Sequence, residues 1–202
     1  RVHAHQRALA VAHFTEGEGH MLVLVHIVAI ADDAPRAERR GQACLGNTVR
    51  VVGGPAAGAT GTVVGKHAFV LVDFPQDALD VLAPGDPLLV RAHGQGLRLL
   101  DFPELVPRSC SPALVHALPF ARTDDGKLRV EVAAEIPAYM MGAGIGMSSE
   151  WANCDVMFTH RDTVERLGVG DLRLGDLVVM HDQDHRFGRG YRAGMCAIGV
   201  VA

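Results

Sequence analysis

The sequence predicts a mainly β protein with a few short helices. It is expected to be barrel-like and to form a single compact domain across residues 1–202, with two similar packed lobes at about 1–110 and 111–202. Three observations carry that expectation. A hydrophobic content of 49% in a chain of this length is enough to close a sizeable core. The 23 glycines and 10 prolines are spread along the chain, which favours short strands joined by tight turns over long helices. The phrase "PGDPLLVRAH" at 84–93 returns as "LGDLVVMH" at 174–181, a Gly-Asp turn followed by an apolar strand and a histidine, as two lobes on one plan would show.

The elements follow in order. "HMLVLVHIVAIA", 20–31, reads as a buried strand or pair of strands, and the charged "DDAPRAERRG" after it reads as a loop. Thr48 to Val52, Thr60 to Val64 and Phe69 to Phe74 alternate or run apolar at strand length around a Gly-Gly-Pro turn, which gives a β-meander. "PQDALDVL" makes a short helix, ended by Pro84 and Gly85 before the strand "PLLVRAHG". "DDGK" turns into a strand from Leu128 to Ala134, with a bend at Pro137. Gly142, Gly144 and Gly146 alternate through an extended stretch that leaves room for another backbone or a ligand. The helix "RDTVERL" stops at Gly168, a position suited to a left-handed cap, before the second Gly-Asp strand.

Composition narrows the partners. A net charge of -4 with no long basic block argues against nucleic acid. The longest apolar run, Met21 to Ala31, contains His26 and is too short to span a bilayer as a helix, so no membrane partner is expected. Cys44, Cys110, Cys154 and Cys196 stand far apart, with neither a metal knuckle nor a disulfide framework, which suits reduced thiols in a bacterial cytoplasm. The chain starts without methionine and stops inside the apolar "CAIGVVA", so both ends are expected to continue and their strand ends to be covered in a homo-oligomer.

The densest polar stretch is "HDQDHRFG", 181–188. Held extended, it presents His181, Gln183 and His185 on one side and Asp182 and Asp184 on the other. Imidazole with carboxylate suits zinc, manganese or iron, and carboxylate with carbonyl suits calcium, so His181, Asp182, Asp184 and His185 are the candidate metal ligands. The alternative for the same residues is a solvated turn. His93 closes the echoing strand, and Gln95 follows in the Gly94–Gly96 turn with Asp101 beyond. These could orient a substrate, or serve only as a turn and a polar anchor. Tyr139, Met140 and Met141 are candidate pocket wall, with core packing as the plainer role. Ser148 joins that wall, because "GMSSE" lacks the GxSxG nucleophile elbow. Asp32 and Asp33 could add carboxylates if strand ends meet at one rim.

Taken together, "CLGNTVRVVGGPAAGATGTVVGKH", "AHGQGLRLLDFPE", "EIPAYMMGAGIGMSS", "CDVMF" and "LRLGDLVVMHDQDHRFGRGYRAGMCAIGVV" resemble the bacterial and archaeal domain-of-unknown-function family 4438, from Cys44 to the end and in order. The resemblance implies a glycine-rich, mainly β fold and no settled reaction. Gln95, Gly96, Asp101 and Tyr139 match the family well, and His181, Asp182, Asp184 and Gly188 match its acidic phrase approximately. His93 takes a position often aromatic. The resemblance implies a histidine-containing acidic loop where this chain has "ADDAPRAERR", and a further segment with cysteine, histidine and glycines beyond Ala202. A fainter similarity is to the acetamidase and formamidase group, amide hydrolases with Asp and His in a loop after a Gly-Asp strand. Another is to the KOW hairpin, in "VRVVGGPAAGATGTVVGKH".

The expected function is therefore an enzyme acting on a small organic molecule, by metal-assisted hydrolysis of an amide or ester. A divalent ion, held by His181, Asp182, Asp184 or His185, would activate water. Catalytic roles fall to His181, Asp182, His93 and Asp101, and substrate contacts to Tyr139, Met140, Met141, Gln95 and Ser148. The alternatives are a metal-free β-barrel cyclase or isomerase in a biosynthetic pathway, and a non-catalytic KOW-like binding module with a basic patch at Arg50 and Lys66.

Overall fold

The structure is a computed structural model that describes residues 42–66, 70–144, 153–187 and 190–202. The expected strands at 20–31, the loop carrying Asp32 and Asp33, and Ser148 lie outside the described residues. The first half forms a four-stranded antiparallel sheet of β1 (Thr48–Val51), β2 (Thr60–Lys66), β3 (Val70–Asp73) and β4 (Leu88–Val90), in the order β3-β2-β1-β4. The meander of the sequence is thus present, and β4 adds to its far side. In "TVRV" the alternation places Val49 and Val51 at 0% exposure while Thr48 and Arg50 face out. The inward face, with Ala43, Val63, Val72, Phe74 and Ala78 of helix α1 (Gln76–Leu79), closes one hydrophobic cluster. Each fully buried valine is worth about 1.5–3 kcal/mol over exposure.

After an irregular stretch, Ser111 caps helix α2 (Pro112–Ala117), its hydroxyl accepting from the Leu114 amide at 3.1 Å, with Pro112 at the first turn where no N–H is missed. A hairpin of β5 (Phe120–Arg122) and β6 (Leu128–Val130) follows. The single strand expected from Leu128 to Ala134 is divided: β6 pairs with β5, and β7 (Ala134–Ile136) leaves to run parallel to β10 (Leu177–Gln183). The Ala133 amide bonds the Leu177 carbonyl at 2.7 Å, which starts that new pairing.

The second half centres on β10, flanked by β7 and by the antiparallel β11 (Tyr191–Val200), in the order β11-β10-β7. A 3-10 turn (Ala138–Met140) leads into β8 (Met141–Gly144), which pairs with β9 (Cys154–Val156). Helix α3 (Arg161–Leu167) ends at Gly168 with φ 63, the left-handed cap expected from the sequence. Ile136, Met140, Met141, Val169, Val178 and Met180 form the second hydrophobic cluster.

The internal echo is structural. Gly85 (φ 102) and Gly175 (φ 92) each turn the chain where a side chain would be strained. Asp86 Oδ2 then accepts from the Ala83 amide at 2.9 Å, and Asp176 Oδ2 from the Arg173 amide at 2.7 Å. The fold is mainly β with few short helices, as expected. The barrel-like closure is not formed: the described strands make open sheets of four, three, two and two strands. In the four-stranded sheet, β3 and β4 are its two separate edges, so it does not close on itself. Among the described residues no helix is long and apolar enough to cross a membrane.

Candidate functional site

The polar phrase after Met180 is shaped by one bulge. Asp182 takes φ 56, uncommon for a residue with a side chain, and the β10–β11 register shifts there: His181 faces Cys196, yet Gln183 faces Tyr191. Asp182 Oδ1 pins the shift by accepting from the Gly194 amide at 2.8 Å. One residue taken out of the alternation turns the following side chains to the other face. His181 is consequently exposed while Gln183, two residues on, is 3% exposed, so these residues do not share the side that an extended strand would give them.

Each member of the phrase has its own partner. His181 Nε2 lies 2.8 Å from Glu135 Oε2, brought alongside by the parallel β7. Asp184 accepts from Arg186 through both oxygens, at 2.8 and 2.7 Å, and from Arg192 at 3.3 Å. The Arg186 guanidinium holds its carboxyl well below the usual carboxylate range. His185 turns toward Cys154 at the start of β9, with Sγ 3.4 Å from Nδ1 and 3.8 Å from Nε2. Among the described residues no three His, Cys, Asp or Glu side chains gather as a metal ion would need. The four candidate ligands are distributed over the Glu135, Gly194, Arg186 and Cys154 neighbourhoods instead.

The Gln183–His185–Cys154 line has a defined polarity. The Gln183 amide nitrogen donates to the Asp182 carbonyl at 3.1 Å, which fixes the other end of the amide as its oxygen. That oxygen, 3.2 Å from His185 Nε2, can only accept, so the proton sits on Nε2 and Nδ1 is left as the basic nitrogen facing the thiol. The sulfur is nearly equidistant from both nitrogens, so it does not lie on the Nδ1 lone-pair axis. Alignment with that axis requires a movement of the thiol or the ring, and catalytic hydrogen bonds are often long or poorly aligned before substrate binds. Thiol, imidazole and amide oxygen in series form the arrangement that activates a cysteine nucleophile.

The remaining candidates fall elsewhere. His93 is exposed, with Nδ1 3.0 Å from the Arg91 carbonyl, while its own carbonyl accepts from the buried Asn47 at 2.9 Å. Gln95 and Asp101 lie exposed in turns of the irregular stretch. Tyr139 is 61% exposed, and its hydroxyl accepts from Arg166 at 3.3 Å. Met140 and Met141 are buried at 3% and 6% in the second hydrophobic cluster. Lys66 does not stand beside Arg50 on a basic surface: it is 5% exposed and donates to the Ala43 carbonyl at 2.8 Å. Burial pushes its amine down to about 8.

Cys154 is absent from the residues the sequence singles out. There it is one of four separated cysteines and the first residue of the phrase "CDVMF", and spacing alone cannot join it to a histidine two positions from a glutamine.

Residues 18–116 match the N-terminal domain, and residues 117–202 the C-terminal domain, of the domain of unknown function DUF4438. The chain belongs to the DUF4438 family. The two matched domains meet at the end of α2, between the two hydrophobic clusters in sequence. The chain is also similar to the crystal structure of TM1086, which is 41% identical, with a TM-score of 0.78 over 85% of this chain and 61% of that one. This chain thus spans less than two thirds of the length of TM1086. No curated protein matches it.

Proposed function

We propose that this DUF4438 chain is an enzyme that hydrolyses an amide or ester bond in a small organic molecule, with Cys154 as nucleophile, His185 as general base and Gln183 as the residue that orients the imidazole. The single observation behind this is the series Gln183 Oε1, His185 Nε2, His185 Nδ1, Cys154 Sγ, with contacts of 3.2 and 3.4 Å. The hydrolytic expectation from the sequence is kept, while the residues that carry it move from the carboxylates to the thiol.

In the first half-reaction the Cys154 thiol gives its proton to His185 Nδ1, and the thiolate attacks the substrate carbonyl carbon. The bond to the amine or alcohol breaks, and that leaving group takes the proton back from the imidazolium. A thioester on Cys154 remains. In the second half-reaction His185 accepts a proton from water, the hydroxide displaces the sulfur, and the proton returns to the thiolate as the carboxylic acid leaves. Gln183 holds the ring and the correct tautomer through both halves.

The test is turnover of a panel of nitrophenyl esters and anilides. An initial burst of nitrophenol or nitroaniline, lost in Cys154→Ala and strongly reduced in His185→Gln, is expected. Turnover that survives Cys154→Ala in full would remove the assignment.

A further inference from the structure

Two guanidiniums meet on Asp184, the neighbour of the proposed base in the chain, and they are unequally engaged. Arg186 commits both faces of its fork to Asp184, at 2.8 and 2.7 Å. Arg192 offers a single nitrogen to the same carboxylate at 3.3 Å, and its side chain is 59% exposed, so most of its donors face solvent. Asp184 is 13% exposed, fixed beneath the pair. Within this triad two positive charges on one carboxylate leave an excess of one, next to His185 in the chain. Successive Cα atoms are about 3.8 Å apart, so this excess lies inside the Debye length of about 8 Å that screens charges in physiological salt.

Asp182 accepts from the Gly194 amide, and Glu135 faces His181. Asp155, next to Cys154 on β9, accepts from Asn153 at 2.7 Å and points to the opposite strand face. An exposed guanidinium with an open, planar fork matches a carboxylate in geometry and in sign of charge.

We infer that the substrate of this site carries a carboxylate close to its scissile amide or ester, and that Arg192, braced by Asp184 and Arg186, receives it. The inference rests on the thiol–imidazole reading of Cys154 and His185, and adds to it the class of molecule accepted. It places the protein among hydrolases of N-acyl amino acids, lactam acids or similar small anionic acyl compounds. It also means that neutral esters are poor substrates beside their carboxylate-bearing counterparts.

Iodoacetate and iodoacetamide differ only in that charge, and both alkylate thiolates. The rate of labelling at Cys154 with each is followed by peptide mass spectrometry, and the ratio of the two is compared with the ratio for a neutral small thiol. At Cys154 the ratio should favour iodoacetate by roughly threefold or more over the neutral thiol. It should fall to the reference in Arg192→Gln, and rise further in Asp184→Asn, which uncovers both guanidiniums. A ratio at or below the reference, or one unmoved by Arg192→Gln, overturns the inference. The nucleophile itself is judged separately, by the iodoacetamide rate alone. If Cys154 reacts with it no faster than the neutral thiol near neutral pH, the underlying reading fails whatever the ratio shows.

Discussion

The Gln183 side chain bridges the Asp182 carbonyl and His185 Nε2, at 3.1 and 3.2 Å, and is itself buried at 3% exposure. It belongs to the bulge and to the proposed base at once, so the backbone shift at Asp182 is what aims the imidazole at Cys154. Gln183→Leu keeps the volume and removes the acceptor. Alkylation of Cys154 should slow severalfold, with a stability loss of only about 1 kcal/mol from the lost hydrogen bonds. Gln183→Glu, which still accepts from Nε2–H, should restore the rate. A merely structural role would give the same labelling rate in all three proteins.

Asn47 is the polar centre of the first lobe's rim. It is 0% exposed, accepts from the Cys44 amide at 2.8 Å and donates to the His93 carbonyl at 2.9 Å. Asn47→Ala leaves both backbone groups without their partner, for a loss of about 2–4 kcal/mol in urea denaturation. His93→Ala removes only an exposed ring and should cost far less, which assigns the position's importance to its backbone rather than its imidazole.

Gly94 and Gly96 look alike in sequence and differ in space. A Cβ at Gly94 (φ +119) would lie 2.3 Å from the Cys110 carbonyl oxygen and 2.9 Å from the Ser111 Cα, whereas at Gly96 (φ +73) nothing lies within 4 Å. Gly96→Ala should cost about 1–2 kcal/mol, the backbone strain alone. Gly94→Ala adds a collision with backbone that has no way to yield and should cost at least twice as much. Thermal denaturation of the two variants side by side decides it.

Lys66 gives the protein a pH signature. Burial lowers its amine from 10.5 to about 8. Below that value the amine is charged in both folded and unfolded states, and the cost of burying the charge is present in full. Between the two values the unfolded chain holds the proton that the fold has released, so stability rises with pH. The lost penalty amounts to about 3 kcal/mol over the whole window. Burial also pushes the Cys44 and Cys110 thiols up, with the opposite sign, but these are shared by a Lys66→Met variant and largely cancel in the difference. The stability of the natural protein relative to Lys66→Met should therefore increase between about pH 7 and about pH 9.5. A difference that stays flat would mean the amine keeps its ordinary value.

Much of the fold was legible because its signals are local. The Thr48–Val51 alternation, the Gly168 cap and the paired Gly-Asp turns each depend on residues a few positions apart, and each is found where the sequence places it. Sheet closure and pairing partners depend on distant residues. The open sheets and the departure of β7 toward β10 could not be read from a run such as "LRVEVAA". The candidate site divides the same way. "HDQDHRFG" marks itself as a polar tip, yet the left-handed Asp182, which separates His181 from Gln183 and turns His185 toward a cysteine on another strand, carries no sequence signal. Arg186, two residues on, and Arg192, once β11 is in place, likewise convert Asp184 from a candidate metal ligand to a paired carboxylate.

The central claim is that His185 activates Cys154. Its most direct measurement is the site-resolved rate of Cys154 alkylation by iodoacetamide at about pH 6.5, where an unassisted thiol is almost wholly protonated, in the natural protein and in His185→Gln. A rate about tenfold or more higher in the natural protein is expected. Equal rates in the two proteins would contradict it.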